Sequence, residues 1–150
     1  MLEKIDLNKK MSKQEYSESL PKIEAELGRL QRECKDLDIP VMIVFEGFGA
    51  SGKGLQIGKL IHSMDPRGFE VHTIKNETEE ERMHPFLWRF WIKTPEKGKI
   101  AVFDGSWYRK VWVDRFEKRT REKELKDDFA SINAFEQQFD GYLGNGVYIY

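Results

Sequence analysis

The stretch that most constrains this chain is Gly47-Phe48-Gly49-Ala50-Ser51-Gly52-Lys53-Gly54, directly after the apolar run Val41-Met42-Ile43-Val44-Phe45. The spacing G-x-x-x-x-G-K, set between a strand-like run and a helix-like pattern, is that of a phosphate-binding loop. Glycines let successive amides turn toward one anion, and the following helix adds partial positive charge at its N-terminus. The expected phosphate contacts are Gly47, Ala50, Ser51, Gly52, Lys53 and Gly54, with Lys53 spanning the transferring phosphates. Gly54 stands where Ser or Thr usually supplies a hydroxyl ligand for magnesium, so the metal must be placed by another group.

The 150 residues suffice for one domain with a real core, and 39% hydrophobic with 13% aromatic residues excludes a disordered chain. Basic and acidic side chains nearly cancel, 25 against 26, so only local clustering could draw an anionic partner. One cysteine, Cys34, excludes an internal disulfide framework and reads as a packed thiol. No apolar run approaches the ~20 residues of a membrane span. The opening Met1-Leu2-Glu3-Lys4-Ile5-Asp6 lacks signal-peptide form, so a cytoplasmic enzyme is expected.

Residues 1–40 read as an N-terminal arm and an amphipathic helix, and 41–150 as a P-loop core, incomplete at its C-terminal end, where the chain stops within a strand. Ser12-Lys13-Gln14-Glu15 has capping-box spacing. Tyr16, Leu20, Ile23, Leu27, Leu30, Cys34 and Leu37 form one apolar stripe, kinked or restarted at Pro21, expected to pack on the body of the chain. Strands are expected at 41–46, 69–75 and 100–104, with a fourth beginning at Val147. Helices should run over 52–64 with Leu55, Leu60, Ile61 and Met64 inward, and from Thr78 with Met83, Phe86, Leu87, Phe90 and Trp91 on one face. A last helix carries Phe129, Ile132, Phe135 and Phe139 and is broken by Gly141, Gly144 and Gly146.

Asp104 ends an apolar strand, which puts a carboxylate at the carboxyl edge of the sheet beside the loop, where a Walker B acid holds Mg2+. Arg109, Lys110, Arg115, Lys118, Arg119, Arg121, Lys123 and Lys126 cluster beyond it, and Arg82 and Arg89 precede it. Such a stripe is either a solvated face or a guide for a long polyanion. No nucleic-acid-binding motif accompanies it. His62, His72 and His84 lack metal-ligand spacing.

Phe45-Glu46-Gly47 with Ala50-Ser51-Gly52-Lys53-Gly54, Leu87-Trp88-Arg89-Phe90-Trp91 and Phe103-Asp104-x-Ser106-Trp107-Tyr108 resemble the polyphosphate kinase 2 family. Asp65-Pro66-Arg67-Gly68-Phe69 and Asn133-Ala134-Phe135-Glu136 extend the resemblance over nearly the whole chain. Its N-terminal arm is most similar to the polyphosphate:AMP phosphotransferase branch, where two such domains often stand in tandem. The resemblance implies a P-loop kinase-type α/β/α sandwich with a parallel sheet, here without the fifth strand and lid, and the Walker B strand beside the loop strand. It implies Mg2+-dependent phosphoryl transfer between inorganic polyphosphate and a nucleoside mono- or diphosphate. By the same resemblance Lys53, Asp104, Arg89 and Arg115 are the catalytic candidates, and Lys59 a further phosphate-binding position.

Two positions depart from the pattern. Gly49 stands where the family usually has an aspartate, and Gly105 where it has an arginine. The expectations are therefore a polyphosphate-dependent nucleotide phosphotransferase, or a non-catalytic polyphosphate- and nucleotide-binding domain. Either would form a homo-oligomer or associate with a second like domain. An ATP-dependent nucleoside-monophosphate kinase is the third reading, against which Ser106-Trp107-Tyr108 argues.

Overall fold

Parallel strands need helical crossovers, which bury both faces of the sheet and favour continuous apolar runs over alternating ones. The computed structural model, which describes residues 10–116 and 121–143, follows that logic. Strands β1 (Val41–Phe45), β2 (Phe69–Thr73) and β3 (Ile100–Asp104) form a parallel sheet in the order β1-β3-β2. The loop strand and the aspartate strand are neighbours, as expected. Phe45 and Thr73 both lie in register with Asp104, so the three strands end level and the segments after them meet at one edge. The fourth strand expected at Val147 lies outside the described residues.

Successive residues of β1 and β3 point to opposite faces and feed two cores. Met42, Val44, Ala101 and Phe103 pack with Ile74, Phe90, Trp107, Val111, Ile132 and Phe135. Of these, Phe90 comes from α4 (Trp88–Trp91), Val111 from α5 (Tyr108–Phe116), and Ile132 and Phe135 from α6 (Glu122–Leu143). On the other face Ile43, Ile100 and Val102 pack against Ile57 of α2 (Lys53–His62) and Met64 just beyond it. Leu55, expected inward, is exposed instead, because α2 turns its Ile57 side to the sheet.

The first helix, α1 (Lys13–Asp36), starts at the expected capping box on Ser12 and Glu15 and runs unbroken through Pro21. Its apolar stripe only grazes the body. Leu20, Leu27 and Cys34 are half-buried, whereas Tyr16, Ile23, Leu30 and Leu37 are exposed. The buried residue of α1 is Gln31, whose side chain bonds both the amide and the carbonyl of Asp65 at 2.7 and 2.9 Å.

The helix expected from Thr78 is two single turns, α3 (Glu79–Arg82) and α4, with Met83 exposed between them. Pro85 explains the break: it donates no amide hydrogen, and it disfavours helical geometry at His84. Gly141, expected to stop α6, lies inside it. Among the described residues no helix is long and apolar enough to cross a membrane.

Candidate active site

The carboxyl edge of the sheet carries the site. Gly47 leaves β1 at φ 152°, and a Cβ there would sit 2.7 Å from Ser51 Oγ, so only glycine allows the loop to close. Gly52 caps α2, and Lys53 is its first residue. The Lys53 ammonium donates to the carbonyls of Gly47 and Phe48 at 2.7 and 3.2 Å, which folds its charge over the mouth of the loop. Ala50, Ser51 and Gly54 are exposed on the same turn. Gly47, Phe48 and Lys53 thus border one cavity at the N-terminal end of α2, where a helix favours an anion.

Asp104 lies across from the loop. It lines a cavity of about 770 Å³ together with Glu46, Gly47, Phe48, Lys53 and Arg109. Glu46 carried no role in the sequence reading, although it immediately precedes the loop. The register that pairs Phe45 with Asp104 ends both strands at one edge, and Glu46, the next residue, lines the same cavity as Asp104. One Glu46 oxygen accepts a hydrogen bond from Ser106 Oγ at 2.5 Å, and Ser106 is buried. Two carboxylates and a phosphate chain are the hard oxygen donors that Mg2+ takes, with water completing its shell. Among the described residues no cluster of three or more His, Cys, Asp or Glu forms a ready-made cage. A substrate-assisted magnesium site therefore fits these residues.

The segment after Asp104 is anchored from several sides. Gly105 turns the chain at φ 80°, with its amide on the Phe45 carbonyl at 2.9 Å. Trp107, 2% exposed, donates to Glu136 Oε1 at 2.9 Å, and the Tyr108 hydroxyl bonds the same carboxylate. Ser106, Trp107 and Tyr108 thus fasten the end of β3 to β1 and α6, a positioning role that their spacing alone did not disclose.

A second cavity, of about 440 Å³, lies on the β2 side and is lined by Lys75, Arg82, Arg89, Arg109 and Lys110 among others. Arg89 is buried. Its guanidinium donates to the Lys75 carbonyl at 2.9 Å and lies 3.4 Å from Glu81. The basic residues flanking Asp104 therefore line a concave space as well as a solvated face.

Lys59 lies apart from both cavities. It points along α2 toward α1, where its ammonium bonds the Tyr16 hydroxyl at 2.6 Å. Arg115 belongs to α5 by its backbone, and its side chain is outside the described residues, as are Lys118 and Arg119.

The sequence profile described as Polyphosphate kinase 2 matches residues 10–148. A polyphosphate:AMP phosphotransferase from Pseudomonas syringae pv. tomato is 38% identical over 138 residues, 92% of this chain and 28% of that protein. An ADP-polyphosphate phosphotransferase 3 from Rhizobium meliloti is 31% identical across 81% of this chain and 43% of its own length. The crystal structure of polyphosphate kinase 2 from Arthrobacter aurescens TC1 superposes with a TM-score of 0.86 at 27% identity, over 95% of this chain and 54% of that one. The chain thus spans between about a quarter and about a half of the length of these relatives.

Proposed function

This chain belongs to the polyphosphate kinase 2 family, and from that premise we propose that it transfers phosphoryl groups between inorganic polyphosphate and AMP, ADP or another nucleotide. The observation that carries the reading is the convergence of Lys53, Glu46 and Asp104 on one cavity at the loop. The terminal phosphates of polyphosphate lie on the loop amides under Lys53. The acceptor's phosphate enters the basic cavity lined by Arg82 and Arg89.

In the forward direction the terminal phosphorus loses its bond to the bridging oxygen, which keeps the electron pair. An ionised phosphate oxygen of the acceptor donates a pair to the same phosphorus. No proton has to move, so positioning and charge neutralisation do the catalytic work. Asp104 and Glu46 would hold Mg2+, which, when bound, supplies positive charge against the phosphate oxygens. Lys53 and Arg89 would bring further cations to the transferring group, and Arg115 is a further candidate on the family resemblance alone.

Gly49 supports a second reading. The loop carries no carboxylate of its own, so the domain could bind both substrates for an active partner domain or second subunit without turning them over. Incubation with polyphosphate, Mg2+ and AMP or ADP separates the two. Nucleotide product that falls by about 100-fold or more in Lys53→Ala supports the phosphotransferase. Binding of polyphosphate without product supports the non-catalytic domain, and turnover that needs ATP and ignores polyphosphate overturns both.

A further inference from the structure

Of the cations around the site, Arg109 has the position that best suits a group acting on both substrates. It lines the loop cavity with Lys53 and Asp104, and it also lines the basic cavity with Arg82 and Arg89. Ile74 is the other residue common to the two linings, and it lies on the wall between them. Arg109 sits in the first turn of α5, which the anchored Ser106-Trp107-Tyr108 segment holds against the sheet edge.

Its bonding leaves the charge available. The guanidinium donates to the neutral Asn76 Oδ1 at 3.1 Å, just beyond β2, and among the described residues it forms no ion pair with a carboxylate. Arg89, in contrast, is buried against Glu81, and Arg82 donates to the Glu77 carbonyl. Gly105, which directly follows Asp104, adds no charge at the strand end. A Cβ built there would face Ile74 at 3.7 Å, toward the same dividing wall that Arg109 flanks. Arg109 is within the lining on both sides of that wall.

We propose that Arg109 contacts the transferring phosphoryl group from between the two cavities and binds phosphate from both substrates. The inference rests on the phosphotransferase reading and adds to it a residue that its motifs do not mark. In the transfer described above, Arg109 would lie beside the oxygens of the phosphorus while one P–O bond breaks and the other forms, and it gains or loses no proton.

Calorimetric titration of the full chain with polyphosphate and, separately, with AMP tests this without depending on turnover. Arg109→Ala should weaken both ligands, each by about 10-fold. Arg82→Ala should weaken AMP alone, and Lys53→Ala polyphosphate alone. Where turnover is measurable, Arg109→Ala should lower kcat by about 100-fold or more, and Arg109→Lys should recover part of it. Circular dichroism melting of each variant checks that it is folded. An Arg109→Ala effect on one ligand only, or on neither, overturns the inference and leaves the proposed function standing. Failure of the unmodified chain to bind either ligand overturns the proposed function itself.

Discussion

At position 49 a Cβ would meet no atom within 4 Å, so a side chain there would be sterically tolerated. The missing carboxylate is a matter of chemistry rather than packing. Its nearest functional counterpart in the cavity is Glu46, which the sequence held in plain view but without a spacing rule to distinguish it from any residue ending a strand. Its place becomes legible only once the fold brings it into the cavity that Asp104 lines. His72 was equally unreadable from its position in the strand. Its ring lies 5.1 Å from Phe103, and burial holds its pKa below the ordinary histidine value, with Lys93 assisting and Glu70 opposing. The unfolded chain therefore takes up this proton first as pH falls below about 6.5. His72 should contribute fully above that value and lose its contribution as pH falls through the depressed folded pKa. Urea midpoints at pH 7.5 and 5.5 should differ more for the native chain than for His72→Gln.

The elements divide by how strongly local sequence specifies them. Strands β1 and β3 were readable as short apolar runs closed by turn residues, β2 as an alternating run after the Asp65-Pro66-Arg67-Gly68 turn, and α1 because a capping box begins it. The helix α5 was read only as a basic stretch, since its charged residues conceal the few apolar positions, Val111 above all, that face the sheet. The break between α3 and α4 was hidden by an apolar pattern that continues across Pro85 although the backbone does not. The long α6 is fixed by packing: Ile132 and Phe135 are 1% and 2% exposed, while Phe129, on the same expected face, is 44% exposed. Ile132→Ala should lower unfolding free energy by about 2–5 kcal/mol, read from denaturant titration, because the sheet above it cannot collapse into the space.

For the whole molecule, the parallel sheet, the loop and the place of Asp104 beside it follow from contiguous motifs. The cavities do not, since their walls come from segments as far apart as Glu46 and Phe116. The sequence led to the expectation of a phosphate site, and the fold adds two cavities with Arg109 in the lining of both. The same view sets α1 apart. Its one buried side chain, Gln31, makes two hydrogen bonds to Asp65 and contributes no apolar core. In hydrogen–deuterium exchange the amides of α1 should therefore open while those of β3 stay protected. Gln31→Ala should speed α1 exchange by an amount equivalent to about 1–3 kcal/mol. The domain then has two levels of cohesion: a sheet with its flanking helices, and a leading helix held chiefly by polar contacts, the Gln31 amide on Asp65 and Tyr16 on Lys59. A solvent change or a competing partner can undock that helix without loosening the loop.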